Sequence, residues 1–273
     1  MAVKGSQRFF MQVAMWVMVL FFVFPLLWLF LTSFKNRVDA FSIPPKFIFT
    51  PTMNNYGQVL QNSDFLANYA NSLQVALLTI VFSLLLGIPA AYALARFNMK
   101  GKDDTAFWIL TTRMAPPIMV VLPFYLTYSQ LNLLDTTSGL VIVYMLINLA
   151  FVVWMMKGYF ESIPEALEEA ARIDGTSRLG AMLRVTLPLS APGIASASIF
   201  CFIMSWNEFI FALILSGEST KTVPVAVTSF ITFEGIRWGE IAAAGTLIVL
   251  PVLIFGIAIQ KYLVQGMTMG SVK

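Results

Sequence analysis

Six apolar runs, each close to the length of a membrane-crossing helix, constrain this chain more than any other feature. Crossing about 30 Å of hydrocarbon as a helix takes roughly 20 mostly apolar residues. Windows at approximately 9–32, 72–95, 106–128, 139–156, 190–215 and 241–263 meet that test. The runs are continuous, whereas a lipid-exposed barrel strand needs only about ten residues of alternating polarity. An all-α integral membrane fold with six transmembrane helices is predicted. Hydrophobic residues make up 58% and charged residues 11% of the chain, and the mean hydropathy is +0.79; an ordinary soluble domain carries roughly 25% charged residues. So little sequence lies outside the runs that residues 1–273 read as a single polytopic domain.

Catalytic chemistry has few residues to draw on. The chain has no histidine, and its single cysteine, Cys201, sits within an apolar run. Neither a disulfide framework nor a thiol metal site is expected, and no metal-ligand set stands out. The first run follows Lys4 and Arg8 as a secretory leader would, but no small-x-small cleavage site follows Phe30, so it is expected to remain as an uncleaved helix.

Loop charge predicts the orientation. One set of alternate loops and termini holds Lys4, Arg8, Arg96, Lys100, Lys102, Lys157, Arg172, Arg178, Arg184, Lys261 and Lys273. The other holds Lys35, Arg37, Lys46, Lys221 and Arg237. Eleven against five puts both termini in the cytoplasm, with loops 33–71 and 216–240 facing outward.

The polar stretch at about 157–189, between the fourth and fifth runs, then lies on the cytoplasmic side. Ser162-Ile163-Pro164-Glu165 reads as a helix start, with Ser162 as N-cap, Pro164 in the first turn and Glu165 at the capping-box position. Gly175 stands where a left-handed C-cap is wanted, and a second short helix is expected from Ser177 to Arg184, followed by Pro188. Ala166, Leu167, Ala170 and Ala171 form a small-residue knob able to enter a groove on a partner protein. On pattern alone, an amphipathic helix lying on the lipid surface is the alternative.

Glu169-Ala170-Ala171, then three residues, Gly175, nine residues, and Val185-Thr186-Leu187-Pro188 complete a longer pattern. It resembles the signature loop of permease subunits of bacterial binding-protein-dependent ABC importers, with Val185 in place of the more usual Ile. Gly87 to Arg96, Ser205-Trp206-Asn207-Glu208-Phe209 and the tail Gly266 to Lys273 look like carbohydrate importers, in particular the second, tail-bearing permease of the maltose-type transporter. The resemblance implies a cytoplasmic coupling helix between transmembrane helices 4 and 5 that docks into a cleft of an ATPase homodimer. Glu165, Leu167, Glu169, Ala170, Ala171, Asp174 and Gly175 would form it, and Gly266, Met269, Gly270 and Lys273 would supply tail contacts with the same ATPase. The implied partners are a homologous second permease, the ATPases, an extracytoplasmic solute-binding protein and membrane lipid, with no nucleic acid.

No G-x-x-x-x-G-K-[ST] occurs, since Gly101-Lys102 is followed by Asp103. The chain is therefore read as a permease rather than an enzyme. It binds no cofactor itself, and ATP and Mg would sit on the partner ATPases. Polar residues inside apolar runs point to an interior path. Arg113, followed by Pro116, Pro117 and Pro123, either faces a translocation cavity and pairs with a ligand or with Glu208, or snorkels toward headgroups. Asn148, Trp206, Asn207 and Glu208 form a second polar layer suited to sugar recognition, or serve as helix-to-helix hydrogen bonds. The aromatics Trp16, Phe21, Phe22, Phe24 and Trp28 read as lipid-facing or packing residues, and Gly87, Gly139, Gly245 and Gly256 as sites of close helix contact. An ion-coupled secondary transporter or channel would also show six helices, but Glu208 is the only carboxylate convincingly inside a run. A membrane-embedded enzyme lacks paired carboxylates or an activated serine.

Overall fold

The computed structural model describes residues 5–61, 63–233 and 235–269. The chain order is α1 (Gly5–Ser33), α2 (Arg37–Ala40), α3 (Asn54–Gln61), α4 (Ser63–Arg96), α5 (Lys102–Thr111), α6 (Pro117–Gln130) and α7 (Thr137–Ser162). There follow α8 (Glu165–Ile173), α9 (Arg178–Ala181), α10 (Leu187–Leu189), α11 (Ala191–Trp206), α12 (Ile210–Leu215), α13 (Val223–Ala226) and α14 (Trp238–Met269). A two-stranded antiparallel hairpin, β1 (Ile231–Thr232) and β2 (Gly235–Ile236), precedes α14.

Among the described residues, four helices are long and apolar enough to cross a membrane: Arg8–Ser33, Asp64–Arg96, Thr137–Ser162 and Trp238–Ala258. Two bent helix pairs, counted as one span each, bring the candidates to six. Lys102–Met114 and Pro117–Gln130 meet at 90°, and Arg178–Leu189 and Ala191–Trp206 meet at 74°. The window 106–128 is thus not one continuous helix. Ala115 precedes Pro116 and takes an extended ψ of 123°, Pro116 follows at 130°, and Pro117 starts α6. The proline ring disfavours helical geometry in the residue before it, and two successive prolines turn the chain here. The window 190–215 also breaks, because α11 ends at Trp206 and a separate α12 begins at Ile210. There Glu208 Oε1 accepts from the Phe211 amide at 3.0 Å and satisfies one otherwise orphaned donor.

The helices fall into two compact units, one of Met1–Leu66 with Val227–Pro251 and the other of Ala67–Ala226 with Val252–Lys273. In the first, Asn55 Nδ2 donates to the carbonyls of Ser33 and Lys35, both at 2.8 Å, which fixes the end of α1 against α3. Lys35 is buried, with its ammonium 3.9 Å from the centre of the Trp28 ring, so the aromatic face replaces part of its hydration. Of the other aromatics of α1, Trp16, Phe21, Phe22 and Phe24 are exposed, and none of the helix's most apolar stretch is buried within the protein.

In the second unit, one core joins Val75, Leu140, Val143, Tyr144, Phe211 and Leu215, and another joins Ala91, Tyr92, Val152, Met156, Phe160 and Met182. Gly87 lets α4 and α7 approach closely, since a Cβ there would lie 2.6 Å from Val152 Cγ1. Gly256 has nothing within 4 Å of a Cβ and makes no such contact, because its helix presents that face to open space.

Candidate functional site

α8 stands between two chain breaks that its sequence dictates. α7 runs on to Ser162, whose hydroxyl donates to the Tyr159 carbonyl at 2.7 Å and does not cap the next helix. The N-cap of α8 is Pro164, which lacks a capping side chain, so the expected capping box is absent. Glu165 and Glu168 instead place negative charge in the first turn, where the helix dipole favours it. The far end closes as a full Schellman motif. Gly175 has φ +88°, its amide donates to the Arg172 carbonyl at 3.1 Å, and the Thr176 amide donates to the Ala171 carbonyl at 3.1 Å. Ser177 then caps α9 by accepting from the Gly180 amide at 3.1 Å. The expected second helix, 177–184, is in fact α9 followed by a π-helical turn over Met182–Thr186.

Glu165, Leu167, Glu169, Ala170, Asp174 and Gly175 are exposed and Ala171 is half-buried. The same surface carries exposed apolar side chains at Ile173 and Leu179. Bare Leu and Ile among small residues mark a surface for contact with a protein or with the membrane.

The reverse face of α8 holds an arrangement that the sequence reading missed. Glu168, one residue before the Glu-Ala-Ala triplet, is buried. Its Oε1 accepts from Arg96 Nε at 2.7 Å and from Thr186 Oγ1 at 2.7 Å, while its Oε2 accepts from the Tyr92 hydroxyl at 2.6 Å. Arg96 also donates from Nη2 to the Ile163 carbonyl at 2.8 Å, and its Nη1 lies 3.8 Å from Glu165 Oε1. Burial pushes the Glu168 carboxyl up, but the hydrogen bonds from Tyr92, Arg96 and Thr186 and the Arg96 charge outweigh it and hold the group below the usual range. The available sequence signal was Tyr92 and Arg96 four residues apart, on one face at the end of an apolar helix.

The residues expected along an interior path are only partly brought together. Arg113, in a single 3₁₀ turn at the α5–α6 bend, and Glu208 both line a cavity of about 580 Å³ together with Thr112, Phe124, Met204 and Phe211. They form no ion pair among the described residues. Arg113 Nη2 contacts Met204 Sδ at 2.7 Å, and its guanidinium lies 5.7 Å from the Phe151 ring. Asn148 is buried and donates to the Tyr144 carbonyl at 2.8 Å and to Ser205 Oγ at 3.1 Å, a bond between α7 and α11. Trp206 is buried in a stack with Phe202, and Asn207 donates to the Ile203 carbonyl at 2.7 Å. Of the four residues of the second polar layer, only Glu208 lines this cavity. In the tail, Gly270 and Lys273 lie outside the described residues, while Gly266 and Met269 belong to the end of α14.

A second carboxylate organises a loop of the same unit. Asp135, with φ 51°, accepts from the amides of Gly217 (2.8 Å), Ser219 (3.3 Å) and Thr220 (3.0 Å) and from Thr220 Oγ1 (2.8 Å). Asn71 Nδ2 donates to the carbonyls of Ser219 and Lys221 in the same loop.

Residues 83–269, more than half of the chain, match the family described as Binding-protein-dependent transport system inner membrane component. The diacetylchitobiose uptake system permease protein DasC of Streptomyces coelicolor is 35% identical over 253 residues, covering 92% of each chain. The trehalose/maltose transport system permease protein MalG of Thermococcus litoralis is 33% identical over 261 residues, covering 94% of each. Among solved structures, a chain from the crystal structure of a bacterial ABC transporter involved in the import of the acidic polysaccharide alginate is similar with a TM-score of 0.80 and 27% identity. That likeness extends over 96% of this chain and 99% of the other. With the helical architecture, the bent spans and the exposed α8 already in place, these likenesses lead to one conclusion: the chain belongs to the family of binding-protein-dependent transport system inner membrane components.

Proposed function

We propose that this chain is one of two homologous permeases in an ABC importer that moves a sugar, or a related polyol or sugar conjugate, inward by alternating access. The whole chain acts as one transmembrane domain, with both termini in the cytoplasm. α8 is its coupling helix, and Glu165, Leu167, Glu169, Ala170, Ala171, Asp174 and Gly175 meet a cleft in a separate ATPase dimer, where ATP and Mg are bound. Closure of that dimer is transmitted as a rigid-body rotation of the spans. An extracytoplasmic binding protein delivers the ligand to the outer loops, and Gly266, Met269, Gly270 and Lys273 make a second contact with the ATPases. The cavity beside Arg113 and Glu208 lies on the ligand's path, while Asn148, Trp206 and Asn207 hold the helices outside its lining.

The observation that carries this reading is the complete Glu-Ala-Ala to Leu-Pro spacing, with Glu169 and Ala170 exposed on α8 and Gly175 exposed just beyond its end. The sugar class is supported by the relatives' names for diacetylchitobiose and trehalose/maltose transport. The test is ATP hydrolysis by the assembled transporter with and without its binding protein. Glu169→Arg reverses a charge at the contact, and Gly175→Asp strains the left-handed turn that ends α8; each is expected to lower stimulated hydrolysis by roughly tenfold, about 1.4 kcal/mol at the interface. Full stimulation in fully assembled variants would reduce α8 to a surface helix.

A further inference from the structure

Most of α8 faces away from the protein, yet one of its side chains reaches two other segments directly and a third through Arg96. The Glu168 carboxylate is bonded to Arg96 and Tyr92 at the end of α4, and to Thr186 at the end of the π-helical turn. Arg96 uses its remaining fork on the Ile163 carbonyl, which closes α7. The Thr186 carbonyl in turn accepts from Ser190 Oγ at 2.7 Å, at the 74° bend that leads into α11.

We propose that Glu168 and Arg96 are positioning residues for energy coupling, making α8 move as one body with the ends of α4 and α7 and with the lead-in to α11. The proposal rests on the coupling-helix reading and names the connection inside this chain that it requires. A loop alone would be a compliant connection, because its backbone torsions can absorb a push. Bonds to a buried carboxylate are stiffer. They are short and charge-assisted, and roughly twice as strong as neutral hydrogen bonds. Their geometry is also over-determined: the planar guanidinium serves Glu168 and Ile163 together, which a lysine could not do. A π-turn inside a helix frequently marks a functional position, and here it carries Thr186 to the carboxylate.

The test measures the link itself and does not depend on knowing the transported ligand. Spin labels are placed at Ile173→Cys on α8 and Leu85→Cys on α4, both exposed positions, in a Cys201→Ser background of the assembled transporter. In otherwise native protein, the distance distribution between the labels stays narrow and unmoved when a non-hydrolysable ATP analogue binds. In Arg96→Met with Glu168→Leu, which removes both buried charges without leaving either unpaired, the distribution broadens and shifts with nucleotide. If the double variant does not assemble, Tyr92→Phe with Thr186→Val removes two of the bonds, keeps the ion pair, and is expected to broaden the distribution. A distribution that stays narrow and nucleotide-independent in the variants overturns the proposal, as does one that shifts with nucleotide in the native protein. Failure of the coupling-helix reading would look different: Glu169→Arg would retain full binding-protein stimulation whatever the labels report.

Discussion

Glu168 and Glu169 are adjacent acids with opposite surroundings, one buried among three donors and the other open to solvent. In sequence they are indistinguishable members of a charged helix. Their difference arises because successive helical residues point about 100° apart, so only one of them can face the end of α4. Asp135 is organised on the same principle. Burial pushes its carboxyl up, but the Thr220 hydroxyl and the amides of Gly217, Ser219 and Thr220 hold it below the usual carboxylate range. A folded value below the unfolded one gives stability that is present above the unfolded pKa and is lost as pH falls through the folded one. Asp135→Asn should therefore lower the melting temperature of the purified transporter near neutral pH. The gap from native protein should shrink as the buffer is taken below about pH 4, the ordinary carboxylate range. A gap independent of pH would mean that the aspartate charge does not hold this loop.

The elements illustrate how far periodicity reaches. Long apolar runs become helices in the expected places, with α4 and α7 extending beyond their windows into polar residues. Helices 106–128 and 190–215 break where local chemistry overrides hydropathy, at Pro116-Pro117 and at the Asn207–Phe209 turn. The first break could have been read from the paired prolines, and the second depends on Glu208 reaching the Phe211 amide. Packing between α4 and α7 rests on the absence of a side chain at Gly87. Gly87→Ala should destabilise the protein by about 1–3 kcal/mol through overpacking against Val152. Val152→Ala in the same chain should recover much of that loss in a thermal unfolding measurement. If the double variant is no better than the single one, the cost comes from elsewhere.

At the scale of the whole molecule, the uneven distribution of Lys and Arg predicts which loops face the cytoplasm. Ile173, at the end of α8, and Phe233, between the two hairpin strands, are both exposed and fall on opposite sides in that scheme. In a Cys201→Ser background, a membrane-impermeant maleimide applied to intact cells is expected to label Phe233→Cys and to spare Ile173→Cys until the membrane is opened. The reverse pattern would invert the orientation and remove α8 from any cytoplasmic partner.

The sequence by itself determined the membrane class, the helical content, the family and the Gly175 turn, because each depends on residues near one another in the chain: an apolar run, a motif spacing, a glycine where φ is positive. Only the tertiary structure decided that Glu168 meets Arg96 across 72 residues, that Asn148 bonds Ser205, and that Arg113 shares a cavity with Glu208 without pairing to it. The physical reason is that a buried polar group is defined by its partners, and those partners are brought together by packing, which local periodicity does not encode.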